Sequence, residues 1–181
     1  MARDPLAQPE EAIKRLYAYV AYRIGPGPEA EDIVSETIER ALRYRKSYDH
    51  RKGSPAAWLA GIASRVIADQ ARASPQSTGL DRPIDPVLDD FSAASLQRLN
   101  LMSAITAIDE RSRELLALRY GADLRAREIA ELLNLRTNTV EVALTRALQR
   151  LRAVMEAGGS APWPAPQVPA AIEGSERPAS T

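Results

Sequence analysis

The chain has no cysteine and only one histidine, His50. Without cysteine there is no disulfide scaffold, no thiolate zinc site and no cysteine nucleophile, and a reducing compartment is the natural setting. No run of about 18 apolar residues occurs, and the start, Met-Ala-Arg-Asp-Pro, has no apolar signal core. The expectation is a cytoplasmic protein without membrane insertion. A glycine-rich phosphate loop, a metal-ligand cluster and a paired Ser/His arrangement are likewise missing, so no enzymatic activity, metal or cofactor is expected. His50 beside Asp49, with Ser47 and Ser54 near, stands in a polar loop with no supporting catalytic motif. An excess of one charge is missing too: 24 Lys+Arg face 24 Asp+Glu. At face value this neutrality is unlike a nucleic-acid binder, which is usually basic.

Divided by segment, the neutrality dissolves. Residues 9–74 carry 11 basic and nine acidic side chains, and residues 96–157 carry ten and eight, so each block is +2. The compensating acid sits between and after them: Asp81, Asp85, Asp89 and Asp90 in 75–95, Glu173 and Glu176 in 158–181. Within the first block, Glu29, Glu31, Asp32, Glu36 and Glu39 precede Arg40, Arg43, Arg45, Lys46, Arg51 and Lys52. An acidic stretch followed by a basic one suggests two different partners. Proline and turn formers over 74–90 mark a flexible linker, and the Pro/Ala-rich stretch 158–181 reads as a disordered tail.

Wherever a period exists it is helical. Ile13, Leu16, Tyr17, Val20, Ala21 and Ile24 predict one helix, closed by Gly25-Pro26-Gly27-Pro28. A second begins near Pro28 with the stripe Ile33, Val34, Thr37, Ile38, Ala41 and Leu42. Ser54-Pro55 supplies the N-cap and first position of a third, carrying Trp58, Leu59, Ile62, Ala63, Val66 and Ile67. In the second block a helix is expected over roughly 93–107 and another after a cap at Asp109, with a break at Gly121. Then comes a short helix at 127–133, a turn at Asn134-Leu135-Arg136, and a long helix from about Asn138 with Val140, Leu144, Ala147, Leu148 and Leu151 inward. A short helix, a tight turn and a long helix have the outline of a helix-turn-helix, an outline any αα-hairpin can share.

The order of motifs resembles a bacterial RNA polymerase sigma factor of the extracytoplasmic-function (ECF) group of the sigma-70 family. Ala30-Glu31-Asp32-Ile33-Val34-Ser35-Glu36-Thr37 is similar to that family's acidic helix. Tyr48-Asp49, Trp58-Leu59-Ala60-Gly61-Ile62-Ala63 and Asp69-x-x-Arg72 are similar to the run that follows it. In the second block Ile108 to Tyr120, Glu128 to Leu133, Thr139-Val140 and Arg146-Ala147 resemble the family's C-terminal module. The resemblance implies an all-α fold of two small helical domains, a region 2 bundle at 9–74 and a region 4 helix-turn-helix at 96–157, joined by a flexible linker at 75–95. It also implies the partners: core RNA polymerase, promoter DNA and an anti-sigma factor.

The residues suit these roles. Asp32, Glu36 and Glu39 recur at helical spacing and, with Ser35 and Arg40, form the expected polymerase-binding face. Melted DNA needs cations along its backbone and flat side chains for its bases. Arg40, Arg43, Arg45, Lys46, Arg51 and Lys52 are candidates for the first, and Tyr44, Tyr48, His50 and Trp58 for the second, although Trp58 also sits on a core stripe. Ser64-Arg65 complete the expected minus-10 surface, replacing the family's common Arg-Asn as Ser35 replaces its Gln. For the minus-35 duplex the outward positions are Arg136, Thr137, Asn138, Thr139, Glu141, Val142, Thr145, Arg146 and Gln149, with Arg150 and Arg152 as further phosphate contacts. A structural reading of Asn138 and Glu141, as N-cap and capping box, is equally open. Glu141-Val142-Ala143 replaces the basic and polar triplet common in the family, which weakens phosphate binding or redirects base reading. Two other classes remain open: a helix-turn-helix regulator acting as a dimer, and a sigma-like adaptor that sequesters an anti-sigma factor.

Overall fold

Residues 4–73 and 93–157 are described by the structure, a computed structural model. The expected linker and tail lie outside the described residues, apart from positions 93–95, which open a helix.

Three helices form the first unit. Helix α1 (Pro9–Ile24) starts on a proline at its first position with Glu10 and Glu11 in its first turn, where the helix dipole favours acids. It stops at Gly25, whose φ of +96° only glycine adopts without strain and whose N–H returns to the Ala21 carbonyl at 3.0 Å. Helix α2 (Pro28–Tyr44) repeats the proline start and buries Ala30, Ile33, Val34, Thr37 and Ala41. A 3-10 turn at Arg45–Ser47 extends it. Ser54 Oγ then accepts from the Ala57 N–H at 3.4 Å to open α3 (Pro55–Ala73), which buries Ala57, Leu59, Ala60, Ala63 and Val66. The alanines allow α3 to lie close against α1 and α2, both of which it touches.

The second unit comprises α4 (Ala93–Ala107), α5 (Glu110–Leu116), α6 (Ala126–Leu133) and α7 (Thr137–Glu156). Asp109 caps α5 by accepting the Ser112 N–H at 2.9 Å. Helix α5 runs on into a π-helical turn, Ala117–Gly121, in which the Ala122 N–H reaches the Ala117 carbonyl at 2.9 Å. Asn134 ends α6 in the left-handed conformation (φ +54°), which asparagine tolerates better than most side chains. Among the described residues there is no strand.

The two units are not merely tethered. Leu16, Tyr19 and Val20 of α1 lie in one core with Leu115, Leu118, Ala122 and Leu124, and that core continues through Ile33 and Val66 on one side and Ile129 and Val140 on the other. Arg113, nearly buried, crosses the seam: it donates to the carbonyls of Ile105 (3.2 Å), Thr106 (2.8 Å) and Ile108 (3.0 Å), and to that of Arg23 at 3.4 Å. Arg23 pairs with Glu110 at 3.5 Å, and Arg15 with Asp123 at 3.6 Å. Three expected core positions face solvent instead: Ile13, Leu42 and Leu148 are 43%, 55% and 40% exposed. Ile13 and Leu148 sit at the margins of their buried stripes, and Leu42 lies beyond its stripe in the last turn of α2.

Candidate polymerase and nucleic-acid interface

Helix α2 presents the expected acidic face, but its acids are not equivalent. Asp32 and Ser35 are exposed, and Asp32 has no ion-pair partner among the described residues. Glu36 is held by Arg40 at 2.6 Å and by Gln70 at 3.4 Å, and Arg40 reaches on to Asp69 of α3 at 3.0 Å. Asp69 also accepts from Arg72 at 3.2 Å, and Glu39 pairs with Arg43 at 2.8 Å. Glu36, Glu39 and Arg40 therefore serve first to fix α2 on α3 and to order its surface. A partner gains most from Asp32 and Ser35, whose groups it need not compete for.

Between α2 and α3 the loop is shaped by Asp49. Its carboxylate accepts the Arg51 N–H at 3.0 Å, and its carbonyl accepts the Lys52 N–H at 2.9 Å. The Arg51 N–H, with the charges of Arg51, His50 and Lys52, outweighs the small burial effect and holds the Asp49 carboxyl below its ordinary value. Tyr48 donates its hydroxyl to the Gly53 carbonyl at 3.0 Å, and its ring lies 5.4 Å from that of Trp58, tilted by 55°. Trp58 is half-buried: one side packs and the other lines a cleft of about 320 Å³.

That cleft brings together Tyr48, Lys52, Trp58 and Arg65 of the expected minus-10 set. Arg43, Lys46, His50, Arg51 and Ser64 do not line it; the first four are exposed on the same unit and Ser64 is half-buried on α3. Arg45, part of the same basic run, is taken by Asp4. The far wall was not foreseen: Glu128, Glu131 and Leu132 of α6 close the cleft, with Leu132 packed against Gly61. Nothing local in the sequence signals this wall, because the contact spans some 70 positions. An aromatic ring beside two cations has the chemistry to stack a base and hold its phosphate, while the α6 carboxylates oppose a phosphate from the other side.

Helices α6 and α7 meet through the turn 134–136, the geometry in which the second helix enters a major groove. Arg136, Thr137, Asn138, Thr139, Glu141, Val142, Thr145, Arg146 and Gln149 are all exposed. The N-cap is Arg136 and its side chain makes no cap bond, so the capping-box reading of Asn138 with Glu141 is set aside: both side chains lie past the cap and face outward. Two expected phosphate contacts are used internally. Arg150 donates to Asp109 at 3.3 Å and to Ser112 Oγ at 2.8 Å, tying α7 to the start of α5, and Arg152 pairs with Glu156 at 2.8 Å. Arg136 and Arg146 form no ion pair among the described residues.

Comparison with known proteins gives two family matches, Sigma-70 region 2 over residues 10–74 and Sigma-70, region 4 over residues 98–151. The ECF RNA polymerase sigma factor BldN of Streptomyces coelicolor is 30% identical over 148 residues, which cover 75% of this chain and 54% of BldN. SigM of Bacillus subtilis is 28% identical over 134 residues, covering 71% of this chain and 81% of the relative. SigD of Mycobacterium tuberculosis is 32% identical over 180 residues, covering 87% and 80%. The chain thus spans about half the length of BldN and about four fifths of the other two. Two solved structures share the fold. RpoE of Bartonella quintana, solved with the anti-sigma factor NepR, superposes with a TM-score of 0.66 at 19% identity, over 81% of this chain and 93% of that one. CnrH, solved with the cytosolic domain of CnrY, gives 0.56 at 24%, over 84% and 85%.

Proposed function

The chain belongs to the ECF sigma factors of the sigma-70 family, and from that premise we propose that it joins core RNA polymerase and directs initiation at promoters with two separated elements. The observation that carries this reading is the presence, on one chain and in this order, of an aromatic and basic cleft and an exposed recognition helix. In the proposed division of labour residues 9–74 bind polymerase and the melted minus-10 strand, and residues 96–157 read the minus-35 duplex.

Docking starts on α2, where Asp32 and Ser35 meet basic groups of the polymerase while the Glu36–Arg40–Asp69 network keeps the helix surface rigid. Once α6 has withdrawn from the cleft so that α7 can reach the separate upstream element, a base of the melted strand stacks on one ring of the Tyr48–Trp58 pair, with Lys52 and Arg65 on its phosphates. Lys46, Arg43, His50 and Arg51 extend the positive path along the loop. Helix α7 lies in the major groove, with Arg136 and Arg146 on phosphate and Asn138 and Gln149 on base edges. No step of this work makes or breaks a covalent bond through this chain, so the protein acts as a non-enzymatic initiation subunit in the cytoplasm. RpoE of Bartonella quintana is in complex with an anti-sigma factor, and by analogy an anti-sigma factor is a partner of this chain.

Zero net charge makes a specific demand, because phosphate contacts supply most non-specific DNA affinity. The free protein binds duplex promoter weakly, and tight binding appears only with core polymerase. Fluorescence anisotropy of a labelled promoter fragment, titrated with the protein alone and with the reconstituted holoenzyme, tests this. Tight sequence-specific binding by the free protein, unchanged by core enzyme, would contradict the reading and favour a conventional regulator.

A further inference from the structure

We infer that Val142 reads the C5-methyl group of a thymine in the upstream duplex element, an inference that rests on α7 being the recognition helix. Three large apolar side chains of α7 are exposed, Val142 at 43%, Leu148 at 40% and Met155 at 46%. Leu148 and Met155 are seven residues apart and share a face. Val142 belongs to a different one, with Asn138, Thr145 and Gln149, at spacings of four, three and four residues. This stripe lies opposite the buried line Val140, Ala147 and Val154, so Val142 gains nothing from the core. Valine is also a mediocre helix former, so neither packing nor propensity accounts for it at an exposed position.

Its neighbours define what it can meet. The stripe bears no charge: Arg146 flanks it on one side and Glu141 on the other, and an amide stands at each end. Guanine is read chiefly by Arg or Lys, and the centre of this stripe offers neither. Asn138 and Gln149 suit adenine, and the branched methyls of Val142 and Thr145 suit the one apolar group that projects into the major groove, the thymine methyl. Val142 sits in the second turn of α7, in the part of a recognition helix that reaches base edges. The turn carries one internal bond near it, from Thr145 Oγ1 to the Glu141 carbonyl at 3.0 Å, which leaves the threonine methyl free to face the same groove.

Deoxyuridine lacks only that methyl, so it isolates the contact. The experiment is in vitro transcription by the reconstituted holoenzyme from a promoter found by start-site mapping, with each thymine of the upstream element on either strand replaced in turn by uracil. At one position the wild-type protein should lose about fourfold in initiation at limiting enzyme, the value of one buried methyl-sized group. Val142→Ala should be indifferent to uracil at that position, and Val142→Thr, which keeps a branched methyl, should still discriminate. Alanine favours the helix, so loss of folding does not confound the first variant. Absence of any uracil-sensitive position, or equal sensitivity in Val142→Ala, overturns the inference while leaving promoter-directed initiation intact. If no promoter-specific initiation occurs at all, the proposed function and this inference fall together.

Discussion

A Cβ placed on Gly121 would stand 2.6 Å from the Tyr19 Cα, so the π-helical turn and α1 meet backbone against backbone. Real side chains never come so close, and the neighbour is main chain that cannot swing away. Gly121→Ala is therefore expected to destabilise the protein by about 1–3 kcal/mol through overpacking. Urea unfolding checks this: the midpoint should fall, and a change in slope would show that the two units no longer unfold together.

Arg113 binds three carbonyls of its own unit and reaches across the same seam to a fourth, that of Arg23, and burial, the largest influence on it, lowers its guanidinium from the usual value. Arg113→Met would leave buried acceptors unpaired at about 1–3 kcal/mol each before relaxation. A net loss of about 3 kcal/mol should lower the melting temperature by about 6–12 °C for a chain of this size. Arg113→Lys should recover only part of it, because a single ammonium cannot span the fork. Calorimetry of the three proteins decides the matter.

Tyr19 gives the seam an alkaline limit. Burial pushes its phenol up to about 12 against the opposing pull of Arg23 and Ser64 nearby, and its hydroxyl makes no well-formed hydrogen bond among the described residues. Below pH 10 folded and unfolded chains both keep the proton. Above it the unfolded tyrosine ionises first, so stability declines as pH climbs from 10 through 12. Tyr19→Phe should leave stability at pH 7 unchanged or slightly raised and flatten much of that decline, with Tyr22, also raised by burial, keeping a residue of it. Denaturant titrations at pH 8, 10 and 11 compare the two proteins.

The parts of this molecule governed by neighbours in sequence were legible without coordinates. Ser54-Pro55, Asp109 and the Gly25 to Pro28 punctuation set helix ends where expected, since capping and dipole effects act within one turn. The exposed face of α7 followed from its period, apart from Leu148, which was expected inward and is exposed. What escaped is long-range. The contact of Gly121 with Tyr19, the buried fork of Arg113 and the α6 wall of the cleft each join positions from different units, and no local pattern encodes them. Arg150 carries the same lesson, because its charge resembled a phosphate contact until Asp109 and Ser112 claimed it.

The cleft makes an electrostatic prediction of opposite signs. Lys52→Ala and Arg65→Ala should each weaken open complexes at all promoters alike and reduce the salt slope of holoenzyme binding by about one. Glu131→Gln removes a carboxylate from the facing wall, and the free protein should then bind a single-stranded minus-10 oligonucleotide more tightly. Complex lifetimes against salt concentration and oligonucleotide anisotropy report the two effects.

The most direct test of the central claim is run-off transcription of fragmented genomic DNA by purified core polymerase with and without this protein. The account predicts defined start sites that appear only when the protein is added and share two conserved motifs at a fixed spacing upstream. Transcripts unchanged by the protein, or start sites with no common pair of motifs, would contradict it.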